Sequence, residues 1–194
     1  MFLQSAAIDH AAGYAYFGAD SKPGQVIKVS FSQKAAIKGT KITLTETATM
    51  SDINFYSHVA SGNVRLGIYN DSPTKNLLWE SSSIPNSLTG GWIAVPIGSG
   101  IPTLLVLAPG TYWLCWQIVT TLDVPGYTAG IPGEGFMFDY AYDFYPTAIS
   151  GELRTSETWS QYINYTTRTT PIHQFLLVPI VMVLLLMLLK REQS

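Results

Sequence analysis

The residues able to do chemistry are few and poorly spaced for catalysis. The chain has three histidines, His10, His58 and His173, and one cysteine, Cys115. Nucleophilic catalysis needs a Ser or Cys beside a His that an acid orients, and no G-x-S-x-G turn occurs. His10 falls in a turn and His173 abuts an apolar run, which leaves His58 in the body of the chain. Cys115 lies in TYWLCWQIVT and reads as a small buried hydrophobe that no second cysteine can bridge. Glycosidase chemistry needs two carboxyls about 5–9.5 Å apart. Asp139 and Asp143 in FMFDYAYDFYP share one face of a predicted strand, but four strand residues span about 13 Å. The expectation is a protein that is not an enzyme.

Two binding chemistries fit these residue types better. Asp123, Glu134, Asp139 and Asp143 cluster in sequence and could hold a structural calcium ion through loop oxygens, although no D-x-D-x-D loop is present. No other cofactor is indicated. Five Trp and eleven Tyr in a weakly charged chain suit a carbohydrate-binding surface, with Trp79, Trp92 and Trp159 near strand ends or turns as the stacking residues. Core packing competes for the same side chains, because aromatic residues dominate sandwich cores. Two N-glycosylation sequons occur, at Asn70-Asp71-Ser72 and Asn164-Tyr165-Thr166.

The elements that must position these groups read as strands. Charged residues make up 12% of the chain, about half the usual ~25%, and the hydroxyl-rich remainder is common in exported β-proteins. Net charge is −2, with no basic cluster outside the last few residues, so nucleic acid is not expected as a partner. Lys41–Met50 alternates as one strand; Ile53–Val59, Val64–Tyr69, Leu77–Glu80 and Trp92–Ile97 follow, separated by turn residues. Thr111–Thr120 is apolar on both faces, as a central strand should be, with Trp113 and Trp116 on opposite faces. Gly135–Phe144 and Thr158–Thr166 supply the last strands. About eight short strands without an amphipathic helix predict an all-β fold, an antiparallel two-sheet sandwich over residues 36–166.

Two stretches carry a resemblance. Ile8-Asp9, Gly13-Tyr14-Ala15-Tyr16-Phe17-Gly18, Pro23-Gly24 and Val26-Ile27-Lys28-Val29 resemble one repeat of a β-propeller family, with Ala19 where a small hydroxyl residue is usual. A single blade cannot bury its faces alone, so residues 1–35 imply the last repeat of a larger surface protein. Gly62–Tyr69, Gly91-Trp92 and Leu107-Ala108-Pro109-Gly110-Thr111-Tyr112-Trp113-Leu114 resemble the jelly-roll accessory domains of large secreted surface proteins. That resemblance implies a module that binds sugars, binds surface proteins or spaces other domains.

Residues 175–189, FLLVPIVMVLLLMLL, contain no polar side chain and are followed by Lys190 and Arg191. A run apolar on every face reads as a membrane segment rather than an amphipathic surface helix. As a helix it covers about 22 Å, short of the ~30 Å hydrocarbon core unless Ile172 and a snorkelling Lys190 extend it. The positive flank places residues 190–194 in the cytoplasm and the β-domain outside, with residues 167–174 as a polar stalk. Met1–Ser5 lacks the features of a secretory signal, so the chain is either the C-terminal piece of a longer reading frame or tail-anchored with its β-region in the cytosol. A third reading treats the tail as a sorting signal processed after export. The expected protein is a single-pass cell-surface protein, held in membrane lipid by residues 175–189, with a structural or adhesive β-sandwich.

Overall fold

The computed structural model describes residues 8–9, 14–18, 25–27, 36–57, 60–88, 90–119 and 124–167, the strands before residue 36 by their backbone pairing alone. Three short strands come first: β1 (Ile8–Asp9), β2 (Tyr14–Gly18) and β3 (Gln25–Ile27). The long strands β4 (Ala36–Leu44), β5 (Ala48–Ser57), β6 (Asn63–Asn70) and β7 (Lys75–Ser81) follow. Next are β8 (Ile84–Pro85), β9 (Gly91–Pro96), β10 (Gly100–Ile101), β11 (Val106–Leu107) and β12 (Gly110–Ile118). The chain then forms β13 (Val124–Ala129), β14 (Gly135–Asp139), β15 (Ala148–Ile149), β16 (Leu153–Thr155), β17 (Glu157–Trp159) and β18 (Gln161–Thr167).

These strands make two main antiparallel sheets. The large sheet runs β10-β7-β6-β12-β4-β14-β16, and the small one β1-β2-β18-β5-β11 with β9 also on β5. A third group, β17-β13-β3, adjoins them. β12 lies between β4 and β6, as its two apolar faces require. Ile42, Leu44, Leu66, Ile68, Leu114 and Trp116 of the large sheet pack against Met50, Ile53, Phe55 and Ile163 of the small one. A second cluster covers the outer face of the large sheet, where Tyr69, Trp113, Cys115 and Phe136 meet Tyr145 and Ile149. Glycine opens that face: a Cβ on Gly39 would stand 2.3 Å from the Phe136 ring, and one on Gly67 3.0 Å from Tyr145.

Three strand assignments change. Lys41–Met50 is not one strand, because residues 45–47 turn the chain from β4 into β5. Gly135–Phe144 stops at Asp139, after which the chain crosses the large sheet so that the Tyr145 hydroxyl donates to the Arg65 carbonyl. Thr158–Thr166 divides at Ser160 between β17 and β18. β2 pairs with β18, so part of the predicted propeller repeat lengthens the small sheet. Among the described residues no helix is long and apolar enough to cross a membrane; residues 175–189, Lys190 and Arg191 lie outside them.

The two ends of the sandwich differ in what they carry. β18 starts beside Phe55 and leaves at Thr167, opposite Ala48. The exit end therefore holds the 45–47 turn, the β6–β7 turn and the entry to β12, since Gly110 pairs with Leu44 and Tyr112 with Asn70. The far end holds Ser57, Asn63, Gly91 and Ile118.

Candidate functional site

The outer face of the small sheet gathers a row of aromatic and amide side chains. On β5, Ile53 and Phe55 point into the core, so Asp52, Asn54 and Tyr56 take the opposite face. Met50 also points inward, three residues before Ile53. A register shift in the β18–β5 pairing between Asn164 and Tyr165 absorbs the extra residue and leaves Ser51 exposed. On β18, Ile163 and Tyr165 face the core while Tyr162 and Asn164 face out. On β9, Trp92 stands opposite Tyr56.

Trp92 is the centre of this row. Its ring meets Tyr56 edge-on at 5.1 Å between centroids and Tyr162 at 4.9 Å. Both contacts are T-shaped, the geometry that aromatic quadrupoles favour. Two same-face steps toward the exit end, about 13 Å along β5 from Tyr56, the Asp52 carboxylate accepts hydrogen bonds from the side-chain amides of Asn54 at 2.5 Å and Asn164 at 2.9 Å. The amide oxygen of Asn164 is buried and has no hydrogen-bond partner among the described residues. The half-buried indole offers an apolar plate, with the Asp52 carboxylate and the Asn164 amide about 13 Å farther along the same face and the Asn54 amide buried between them.

The predicted stacking residues divide. Trp92 lies on this face, but Trp79 and Trp159 do not. Trp79 is fully buried, and its indole N–H donates to the Ile97 carbonyl at 3.1 Å. Trp159 is 3% exposed, packed edge-on against Trp116 at 4.9 Å. Both rings fill the space between the sheets and cannot serve as open plates. Sequence reasoning missed Asp52, Asn54, Tyr56 and Tyr162, and saw Asn164 as a sequon alone. The i, i+2, i+4 spacing of Asp52-Asn54-Tyr56 and the i, i+2 spacing of Tyr162-Asn164 was the available signal.

The three acidic candidates among the described residues, Glu134, Asp139 and Asp143, do not converge. Glu134 lies in the turn before β14, and its carbonyl accepts from the Lys41 N–H. Asp139 is exposed at the far end of β14, roughly 17 Å along the strand. Asp143 is exposed, and its carboxylate caps the Phe144 N–H at 2.8 Å. Among the described residues no group of three or more His, Cys, Asp or Glu stands close enough to hold a metal ion, and Asp123 lies outside them, as does His58. At the sequons, the Asn164 side-chain amide nitrogen is engaged with Asp52. The Asn70 side-chain oxygen orders the β6–β7 turn, accepting from the Ser72 hydroxyl and the Asn76 N–H, both at 2.8 Å.

A second charged group lies on the other side of the molecule. Arg154, Lys41 and Lys75 surround the buried Trp113 ring at 4.7, 5.4 and 5.6 Å, and the Trp113 N–H donates to Asp71. Lys75 is itself buried and pairs with Glu152. At the far end of the core, Lys38 lies 5.3 Å from the Trp116 ring and 5.0 Å from Trp159. Burial holds its amine below the usual lysine range, against the opposing charge of Glu157. Of these charges Lys75 packs into the fold and Arg154 stays exposed at its surface. The chain matches no family model, no curated protein and no solved structure.

Proposed function

We propose that this chain is a membrane-anchored cell-surface protein whose sandwich has a structural and adhesive role and does no chemistry of its own. It would be a jelly-roll-like ectodomain joined to a propeller repeat, held by a transmembrane helix over residues 175–189. The observation that carries the binding role is the Trp92–Tyr56–Tyr162 cluster beside Asp52, Asn54 and Asn164. The anchor rests on the uncharged run 175–189, which begins eight residues after β18 ends. β18 leaves the sandwich at the end opposite Gly91 and Trp92, so an anchor there holds the aromatic row away from the bilayer.

A second reading, a carbohydrate-binding module of a larger surface protein, is favoured by one feature of the same row. An indole plate suits the apolar face of a pyranose ring, and the Asp52 carboxylate and Asn164 amide farther along the same face suit the hydroxyls of a following sugar. A tail processed as a sorting signal after export would leave the same face on display.

The test is protease treatment of intact cells expressing the chain with one epitope tag after Gly62, in the far-end turn, and another after Ser194. Loss of the Gly62 tag alone supports the outward sandwich. Its protection overturns the surface reading in favour of a tail-anchored cytosolic β-domain.

A further inference from the structure

The small sheet has an open edge at β9. Among the described residues β9 pairs with β5 alone, and no strand lies along its other side. The pairing decides which of its backbone groups are free. Tyr56 N–H donates to the Ser160 carbonyl, so Tyr56 turns its backbone toward β18 and its neighbours Phe55 and Ser57 turn theirs toward β9. The Ser57 carbonyl accordingly accepts from Gly90 N–H at 2.9 Å. Ile93 stands opposite Phe55 and Val95 opposite Ile53, so both bond to β5. Trp92 and Ala94 then point N–H and C=O off the edge, and no backbone hydrogen bond among the described residues reaches those groups.

Native edges are kept from pairing by charges, by proline within the strand or by a bulge. Residues 92–95 have none of these. Pro96 stands only at the end of β9, its register on β5 is regular, and no charged residue occurs between Glu80 and Asp123. The side chains of the edge also match one another. Trp92 and Ala94 share the outer face, the one half-buried and the other exposed, while Ile93 packs inward against the core.

We propose that β9 pairs antiparallel with β9 of a second copy of this chain, about a two-fold axis at Ile93. In that register Trp92 of each copy lies opposite Ala94 of the other, and the two residues exchange their free backbone bonds. The bulkiest side chain of the edge thus faces a methyl group. A shift of two residues sets Trp92 against Trp92 in one direction and, in the other, against Pro96, which has no N–H to give. The edge is therefore complementary to itself in one register, which is why the occupant is another copy and not an unrelated strand. Such an interface is isologous, so it closes on two copies and leaves neither β9 edge open. The two Trp92 residues become diagonal neighbours about 7–8 Å apart, which brings two aromatic rows onto one continuous sheet face. Six residues a side make a small interface of the weak, reversible class. The pairing stands without the anchored or adhesive reading above.

The experiment uses the full detergent-solubilised chain with Cys115→Ala and one new cysteine, either Ile93→Cys at the axis or Val119→Cys as an exposed control. Cross-strand Cβ atoms at the axis stand about 4.5–5.5 Å apart, close enough for a disulfide after a small adjustment. Oxidation by copper phenanthroline reads the contact, and sedimentation of the Cys115→Ala chain over a range of concentrations reads the mass. The expected result is a disulfide-linked dimer that forms several-fold faster at position 93 than at 119, and a reversible monomer–dimer equilibrium. Ala94→Pro removes an outward N–H that the chain's own ladder does not use, and should abolish both signals while the melting curve holds. Where Ala94→Pro does not fold, Ala94→Lys takes its place. Its two ammonium groups fall on diagonal positions across the pair and should slow crosslinking at 93 several-fold. Crosslinking no faster at 93 than at 119 overturns the proposal, as does a chain that sediments as a monomer throughout or as an assembly larger than two. Crosslinking at 93 that persists in a folded Ala94 variant also overturns it, since the copies then meet through another surface.

Discussion

The Lys75 ammonium lies 2.5 Å from Oε1 of Glu152, and both side chains are almost entirely withdrawn from water. Lys75 opens β7 and Glu152 precedes β16, seventy-seven residues apart, so this contact ties the segment that crosses the large sheet to its edge. Arg154 reaches the same oxygen at 3.2 Å. Breaking a buried pair from one side leaves an uncompensated charge and costs about 3–5 kcal/mol, whereas replacing both partners with apolar groups is often neutral. Glu152→Gln should therefore lower the denaturation midpoint of the detergent-solubilised chain far more than Lys75→Met with Glu152→Leu. Equal losses in the two variants would show that packing, not the pair, holds this segment.

The same carboxylate makes stability depend on acid. Burial pushes the Glu152 carboxyl up, but the hydrogen bond from Lys75, its own backbone contact and the Lys75 and Arg154 charges outweigh that effect. The group is held below its ordinary value of 4.5. Between the folded and unfolded values the unfolded chain binds more protons, so stability rises with pH in that interval. The contribution is complete above about pH 4.5 and is lost as pH falls through the lower folded value. Denaturation midpoints measured from pH 7 down to pH 3 should fall in that range, and less steeply in Glu152→Gln. Parallel curves for the two proteins would contradict the account.

Two tryptophans on facing sheets should respond in opposite ways. Trp79 is enclosed and hydrogen-bonded to Ile97, so Trp79→Ala should cost about 3–5 kcal/mol and abolish folded expression. Trp92→Ala should leave a folded chain and weaken adhesion or glycan binding at least tenfold, about 1.4 kcal/mol. Glycan-array binding and cell adhesion, read beside a melting curve, separate the two effects. Full binding by folded Trp92→Ala would remove the outer row as the site.

Cys115 should be inert in the folded chain. Its thiol is fully buried, and burial pushes its pKa well above 9.0 against a smaller downward pull from Lys75. Maleimide at pH 8 should label the chain only after denaturant is added, because the thiolate is the nucleophile. Stoichiometric labelling before unfolding would mean that the second core opens.

What was legible in the sequence was alternation, and what was hidden was phase and covering. Ile42 and Leu44 alternate onto Ala48 and Met50 without a break in phase, because the 45–47 turn inserts a residue count that a period of two cannot detect. The two faces of β12 were readable from its unbroken apolar run, and the structure places Trp116 inside the sandwich and Trp113 outside it under Tyr145 and Ile149. Turn proximity was a poor guide to exposure for Trp79 and Trp159, since Gly100 of the short edge strand β10 lies against the Trp79 ring and the Trp116 and Tyr127 rings pack on Trp159. Asp139 and Glu134 lie on neighbouring stretches of chain, yet strand geometry carries them apart. Nothing in spacing alone announces which acids a fold will bring together.

The placement of β18 bears on how the protein would carry a mechanical load. This strand is bonded on both sides, to β2 and to β5, along most of its length, and the chain beyond Thr167 leads toward the apolar run. A pull between a bound partner on the far end and an anchor beyond Thr167 acts along the strand axis. The ladder bonds lie across that axis, so they are loaded together in shear rather than opened one after another as in a zipper. If residues 175–189 anchor the chain as proposed, the arrangement suits a tether that holds under traction.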